Sequence, residues 1–195
     1  MDNVPLELNS NYEICKYYYS IKRPGPVYVW NKLLKLSFVK ENQLYNKEGL
    51  LYEDSLWTYY LLRSLNHAFF VHEITYIYHR HPGSILANTP YSERLKSFGS
   101  IHKEIADSIE PNRQQEETDN WVRNFCRYYV DAPKNPDYQH AYNEYYKKLT
   151  EVKNENALRQ LVLTKRMSKS SAGRKLYRGM INVKNKIRLV IDLVS

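Results

Sequence analysis

The sequence predicts an α+β fold that is mainly helical, with one short β element near the end of its first third. Beyond residue 91, apolar residues recur at the three- and four-residue spacing of helices. Residues 68–79 are instead rich in alternating aromatic and β-branched side chains, as in strands. A length of 195 residues with 43% hydrophobic side chains suits one domain, or one domain with an appendage.

The first third of the chain is predicted to hold two helices. Residues 1–26 look irregular and end in the rigid turn Arg23-Pro24-Gly25-Pro26. Residues 27–42 have helical spacing, and Glu48-Gly49 interrupts it. Residues 50–66 form the second predicted helix, with two acidic residues in its first turn, where they favour the helix dipole.

The β element is predicted near residues 68–80, and the turn Pro82-Gly83-Ser84 ends it. The rest of the chain is predicted to be helical, with breaks at Pro111 and at residues 131–133. The predicted helices cover residues 91–109, 113–130, 138–150, 153–167 and 172–193.

Composition excludes several classes of protein. No stretch is long and apolar enough for a transmembrane helix, and the first residues lack the basic start and apolar core of a secretory signal. Two cysteines cannot form a disulfide scaffold or a four-ligand zinc site, so we expect reduced thiols in a cytoplasmic protein. The sequence has no GxGxxG, Walker, Asp-x-Asp or HExxH motif.

The positive charge is concentrated near the C-terminus. The chain has a net charge of +8, yet no acidic residue lies between Glu155 and Asp192. That stretch holds ten basic residues: Arg159, Lys165, Arg166, Lys169, Arg174, Lys175, Arg178, Lys184, Lys186 and Arg188. This asymmetry indicates a basic tail rather than a basic domain.

The basic tail also has an apolar stripe at helical spacing. The stripe consists of Leu176, Met180, Val183, Ile187, Val190 and Val194. A basic amphipathic helix can lie in the headgroup region of an anionic membrane. Binding to nucleic acid, docking on a partner, and packing on its own domain with a solvated basic face remain open.

Three segments, taken in order, carry the functional information. The first is the sequence VWNKL at residues 29–33, followed by Phe38 and Glu41-Asn42. The second is EGLLYED at residues 48–54, and the third is YIYHRHPGSI at residues 76–85. Together they resemble the second half of a bacterial family 2 glycosyltransferase of the GT-A fold, over roughly residues 27–86.

The resemblance implies an inverting sugar transfer from a nucleotide-sugar donor to an acceptor hydroxyl, as in surface polysaccharide or capsule biosynthesis. In the family, the aspartate of the Glu-Asp pair is the general base, which corresponds to Asp54. A carboxylate suits this role because an alcohol is a poor nucleophile until it loses its proton. Glu53 would bind the acceptor or orient its neighbour. The alternative for both residues is helix capping.

Further site residues follow from the same resemblance. The segment after the strand approaches the donor diphosphate in the family, which corresponds here to Arg80, His81, Gly83 and Ser84. A cation and exposed backbone N–H groups suit phosphate. The Trp30-Asn31-Lys32 segment would lie on the acceptor side or have a structural role.

Two histidines stand where many relatives have arginine. His79 and His81 would point to one face of a strand, as a metal-binding pair does. A third ligand is not evident in the sequence, so exposed surface histidines are the alternative. For the complete enzyme the resemblance implies Mg²⁺ or Mn²⁺, held with the donor by an Asp-x-Asp motif.

The family's nucleotide-binding βαβ half and its Asp-x-Asp motif are both missing from the sequence. We therefore expect an N-terminally truncated member that is inactive alone. The predicted division is an acceptor-side part of a truncated catalytic domain at residues 1–110, a helical extension at 111–171 and a basic amphipathic helix at 172–195.

The expected partners are a nucleotide-sugar, a saccharide or lipid-linked acceptor, and an anionic membrane surface bound through residues 172–194. The predicted location is the cytoplasm, and peripheral association with the inner face of the membrane remains open. Nucleic acid is disfavoured as a partner because the basic residues of the tail flank a continuous apolar stripe, which suits a membrane or a protein core better. The alternative function is a non-catalytic basic binding module, or an inactive remnant, that contacts membrane or nucleic acid.

Overall fold

The structure, a computed structural model, describes residues 6–20, 27–71, 76–77, 79, 82–111 and 115–194. The fold is mainly helical with a two-stranded sheet, which confirms the coarse prediction. The elements are β1 (Leu6–Leu8), α1 (Asn11–Ser20), a 3₁₀ turn (Val29–Asn31), α2 (Leu36–Glu41), α3 (Glu53–Ser64), β2 (Ala68–Phe70), α4 (Ile85–Asn88), α5 (Tyr91–Ser108), α6 (Gln115–Tyr129), α7 (Pro136–Glu151), α8 (Glu155–Ser168) and α9 (Ser171–Val194).

The sheet joins the two ends of the first third of the chain. β1 pairs antiparallel with β2, with Leu6 opposite Phe70 and Leu8 opposite Ala68. The predicted β element is therefore present over its first three residues. Residues 72–75, 78 and 80 lie outside the described part of the chain.

The prediction that residues 1–26 are irregular is wrong, because β1 and α1 form there. Helix α1 starts with a capping box. The Ser10 hydroxyl accepts a hydrogen bond from the Glu13 amide (3.3 Å) and donates one to the Glu13 carboxylate (2.8 Å). Ile14, Cys15 and Tyr18 then form a small core with Leu62 of α3. The Ser-x-x-Glu spacing was the signal that sequence reasoning missed.

The single helix predicted over residues 27–42 is also wrong. The structure has a 3₁₀ turn and the short helix α2, separated by extended backbone. Leu33, on the expected apolar face, is 100% exposed. Leu34, Phe38 and Val39 instead pack against a small core that contains Trp57. Tertiary packing therefore selects a different set of side chains from the set that helical spacing favours.

The main core lies among α3 and the helices α5 to α9 and is unusually aromatic. Tyr59, Phe125, Tyr138 and Tyr145 are each fully buried. The Phe125 ring makes tilted contacts with the rings of Tyr138 and Tyr145, a geometry in which aromatic pairs attract each other. This core contains side chains from both sides of residue 111, where the sequence predicted a division.

Arg63 connects α3 to α6 inside this fold. Its guanidinium lies 3.5 Å from the carboxylate of Glu117, which is 2% exposed, and 2.9 Å from that of Glu110. The guanidinium also lies over the ring of Tyr59, 5.2 Å from the centroid. A buried carboxylate is tolerated when it is paired in this way.

His102 of α5 is fully buried between α6 and α7. Its Nε2–H donates to Asn124 Oδ1 (3.0 Å), and Nδ1 lies 3.4 Å from the Tyr145 hydroxyl oxygen. Burial lowers the pKa of His102 to about 4, although the hydrogen bond to Asn124 opposes the shift. The imidazole is therefore neutral in the folded protein at neutral pH.

We expect acid to destabilise the fold through His102. Its folded pKa lies below its unfolded value of 6.5, so the unfolded chain binds a proton first as the pH falls. Stability should therefore drop between pH 6.5 and pH 4, by roughly 3 kcal/mol from this residue. Urea unfolding of the wild type and His102→Gln across this range measures the difference. Parallel stability curves for the two proteins would contradict the assignment.

In the described part of the chain, no helix is both long and apolar enough to cross a bilayer. Both cysteines, Cys15 and Cys126, are buried free thiols. Burial raises the pKa of Cys126 to about 12, so its thiol is unreactive at neutral pH.

Candidate functional site

The fold gathers residues of the three family-like segments into one region. Trp30 of the first segment lies 5.4 Å, centroid to centroid, from Tyr76 of the third. Lys32 of the first segment interacts electrostatically with Asp54 of the second, and each affects the pKa of the other. The Thr58 hydroxyl in α3 donates to the carbonyl of Val27 (2.8 Å), which holds the first segment against α3.

Trp30 forms an exposed aromatic platform with Tyr28. The two rings stack with centroids 4.4 Å apart and planes 11° apart, and the residues are 42% and 45% exposed. Such a platform can stack on the apolar face of a sugar ring. Tyr28 was not a predicted site residue. Its position two residues before the tryptophan gave no signal, because the 3₁₀ turn that brings the rings together was itself not predicted.

Lys32 is held across that 3₁₀ turn. Its ammonium donates to the Tyr28 carbonyl (2.6 Å) and to Asn31 Oδ1 (2.8 Å). Partial burial lowers the pKa of Lys32 to about 8, while the charge of Asp54 opposes the shift. Asn31 is exposed and orients the ammonium. Both predicted residues thus lie together, and the charge of Lys32 acts on Asp54.

Asp54 lies in the first turn of α3 and is partly buried. Burial, followed by the neighbouring charge of Glu53, raises the pKa of Asp54. Hydrogen bonds from Ser55 and the charge of Lys32 oppose that rise. A carboxylate with a raised pKa is a stronger base than a free aspartate, which suits proton abstraction. The N-cap residue, Tyr52, makes no side-chain capping bond, so α3 begins without a conventional cap.

Tyr52 sets the direction in which the chain enters α3. Its backbone is left-handed, with φ 62° and ψ 30°. This conformation costs energy in a bulky residue and is concentrated at functional sites. The Tyr52 ring stacks on Phe98 (4.4 Å), which stacks in turn on Tyr128 (4.0 Å). These contacts with α5 and α6 fix the backbone that carries Glu53 and Asp54. Nothing in the EGLLYED pattern signals them.

A groove of about 360 Å³ adjoins Lys32. Its wall is mostly apolar, and the Trp57 indole N–H at its base donates to the Leu44 carbonyl (3.1 Å). The groove is lined by Val29, Lys32, Leu34, Val39, Leu44, Tyr45, Asn46 and Trp57. Apolar walls with a few polar groups are typical of small-molecule sites.

The predicted diphosphate segment is only partly described. Arg80 and His81 lie outside the described residues. Gly83 is exposed, and the Ser84 hydroxyl caps α4 by accepting from the Ala87 amide (3.2 Å). Among the described residues, no hydrogen bond or ion pair joins this turn to Asp54. The diphosphate role of the turn therefore stays a prediction.

The described residues do not form a metal site. His79 is exposed, while His81 lies outside the described part. Within that part, no group of three histidine, cysteine or acidic side chains is placed to hold a metal ion. The proposed role of His79 and His81 stays a prediction, and the cation implied for the complete enzyme has no ligand set in the residues described.

Comparisons of the chain with protein-family models, curated proteins and solved structures found no match.

Proposed function

We propose that this chain is the acceptor-side part of a family 2 glycosyltransferase, which transfers a sugar from a nucleotide-sugar to an acceptor hydroxyl with inversion. The observation that carries the proposal is that the fold gathers residues of the three family-like segments into one region. Trp30 contacts Tyr76 of the third segment, and the charge of Lys32 acts on Asp54 of the second, although Lys32 and Asp54 are 22 positions apart in the sequence.

In the proposed reaction, an acceptor saccharide stacks on the platform of Tyr28 and Trp30. Its hydroxyl donates to the Asp54 carboxylate, which takes the proton as the oxygen attacks the anomeric carbon. The new bond joins the acceptor oxygen to that carbon, and the bond to the diphosphate oxygen breaks. Attack from the face opposite the leaving group inverts the anomeric centre.

Lys32 has a positioning role in this proposal. Its ammonium favours the charged form of Asp54 and opposes the effect of burial. Lys32 therefore limits the rise in the pKa of Asp54 that burial causes, and in this proposal the ionised carboxylate is the form that accepts the proton.

Exposed apolar side chains support the proposal that a nucleotide-binding half packs on this surface. Leu33, Ile77 and Ile85 belong to the first and third segments and are 100%, 71% and 74% exposed. Large exposed apolar side chains become favourable when a partner covers them, which supports the packing of another half on these segments. The donor and its divalent cation would be held by that half, so the chain alone is expected to be inactive.

The experiment joins this chain to the nucleotide-binding half of a family 2 glycosyltransferase, either as a fusion or by co-expression. We expect release of nucleoside diphosphate that depends on an added saccharide acceptor, with the transferred sugar found by mass spectrometry. The nucleotide-binding half alone is the control. No acceptor-dependent release with any of a panel of donors and acceptors would count against the proposal.

Trp30→Ala tests the acceptor platform in the same assay. Loss of the stacking surface should raise the acceptor KM roughly tenfold and leave the donor KM unchanged. Tyr12→Ala is the matched control, because Tyr12 is 55% exposed on α1 and belongs to none of the three segments. Equal effects of the two substitutions would argue against an acceptor role for Trp30.

A further inference from the structure

Helix α9 is attached to the protein by one side. Tyr177 is 5% exposed, and its hydroxyl oxygen accepts a hydrogen bond from the Thr164 hydroxyl of α8 (3.0 Å). Ile181, one turn later, packs against the main core. These two residues are not members of the apolar stripe that the sequence predicted.

The first members of the predicted stripe lie on a different side of α9 and are exposed. Leu176 is 60% exposed and Met180 is 42% exposed. The two are four residues apart, so they lie next to each other along the helix. The fold therefore does not bury this part of the stripe, which counts against the interpretation that it packs on its own domain.

The basic residues around α9 fall into two groups. Arg178 binds Asp131, and the Arg174 guanidinium donates to the Ser168 carbonyl (2.8 Å), so both hold the helix in place. Lys169 and Lys175 are exposed. Their side chains make no hydrogen bond or ion pair to any other residue that the structure describes. Lys175 directly precedes Leu176, and Lys169 lies two residues before α9 begins, so the start of this helix has an amphipathic surface.

We propose that this surface, consisting of Lys169, Lys175, Leu176 and Met180, binds the headgroup region of an anionic lipid membrane. The apolar pair enters the boundary between headgroups and acyl chains, and the lysines bind lipid phosphates. The sequence continues the same apolar spacing through Val194 and the basic residues through Arg188, with a single acidic residue at Asp192. Tyr177 and Ile181 lie about 100° around the helix from Leu176 and Met180 and keep their contact with the core, so the protein lies on the membrane without crossing it.

Charge and exposure together favour lipid over other occupants. Nucleic acid would attract the lysines but offers no apolar phase for Leu176 and Met180. A second copy of the chain would place one run of ten basic residues near another, and like charges repel. An anionic bilayer supplies both the apolar layer and the negative charge.

The test is sedimentation of the full chain with vesicles of phosphatidylcholine alone and with 30% phosphatidylserine added. We expect binding only with phosphatidylserine, and weaker binding as salt is raised. Leu176→Ser/Met180→Ser and Lys169→Gln/Lys175→Gln should each weaken that binding roughly tenfold or more. The substituted side chains are exposed, so circular dichroism should show an unchanged fold.

Lys35→Gln/Lys40→Gln is the matched control, since it removes the same charge from exposed residues at α2. This variant should bind vesicles like the wild type. Equal loss in both lysine variants would show a general charge effect and overturn the proposal. Binding to duplex DNA or RNA as strong as the binding to vesicles would also overturn the proposal. An oligomer of the wild type that Leu176→Ser/Met180→Ser dissociates would overturn it as well. Vesicle binding does not require a donor half, so it can fail or succeed independently of sugar transfer.

Discussion

Asp54→Asn is expected to lower kcat for sugar transfer by roughly 10²–10⁴-fold in the enzyme completed with a nucleotide-binding half. The amide has nearly the same shape as the carboxylate but cannot take the acceptor proton. Acceptor KM should change little, because stacking on Trp30 is retained. Initial rates of nucleoside diphosphate release at saturating donor and acceptor measure the effect.

Asp137→Asn is the matched control for this substitution. Asp54 and Asp137 each occupy the second position of a helix, after Glu53 in α3 and after Pro136 in α7. If Asp54 only stabilised its helix, the two variants would behave alike. A completed enzyme that remains fully active with Asp54→Asn would show that the base is a different residue.

The stability of the two variants should differ as well. The folded pKa of Asp54 is raised, so the folded state binds its proton more tightly than the unfolded state. Its contribution to stability is therefore present below the ordinary aspartate pKa and is lost as the pH rises through the raised folded pKa. At neutral pH the ionised Asp54 weakens the fold. Asp54→Asn should not lower Tm at pH 7. Asp137→Asn should lower it slightly, because it weakens a helix-dipole interaction, the hydrogen bond from the Ser100 hydroxyl (3.1 Å) and the ion pair with Lys103 (4.0 Å).

Arg63→Met is expected to lower the free energy of unfolding by about 3 kcal/mol, because it leaves the buried Glu117 carboxylate without its cation. Glu117 is 2% exposed, so water cannot replace the guanidinium. The apolar part of the side chain is largely kept, so the loss reports on charge rather than on packing. Thermal unfolding should show a Tm lower by roughly 10 °C.

Three further variants isolate the buried pair. Arg159→Met breaks an ion pair with Glu155 in which both side chains are more than 70% exposed, and should cost less than about 0.5 kcal/mol. Arg63→Met/Glu117→Gln should be more stable than Arg63→Met alone, since the uncompensated charge is gone. Glu117→Gln alone completes the comparison. If the loss of stability in the double variant equals the sum of the losses in Arg63→Met and Glu117→Gln, the two side chains are not coupled.

The later helices were predictable from sequence, whereas the segments that build the site were not. Helices α5 to α9 begin and end within three residues of their predicted bounds. Helices α5 to α8 each bury a regular stripe, such as Trp121, Phe125 and Tyr129 in α6. For such helices the local pattern and the tertiary packing agree, and prediction is reliable in that case.

Residues 27–42 show why the prediction from sequence was wrong for the segments that build the candidate site. Their apolar residues fit a helix, but Leu34, Phe38 and Val39 bury themselves against Trp57 only if the chain is extended between residues 32 and 35. The extended conformation depends on Trp57, more than a dozen residues away in the sequence, and the local spacing of apolar residues carries no information about such a distant contact. The motif residues Trp30, Lys32 and Asp54 were named from sequence alone. Their juxtaposition, and the contribution of Tyr28, required the fold.

The ring stack of Tyr52, Phe98 and Tyr128 makes the backbone that carries Glu53 and Asp54 dependent on the packing of the main core. A substitution at Tyr128, 74 positions beyond Asp54, would reach that carboxylate through two aromatic contacts. Core substitutions that stabilise the protein can therefore also shift the position of the Asp54 carboxylate.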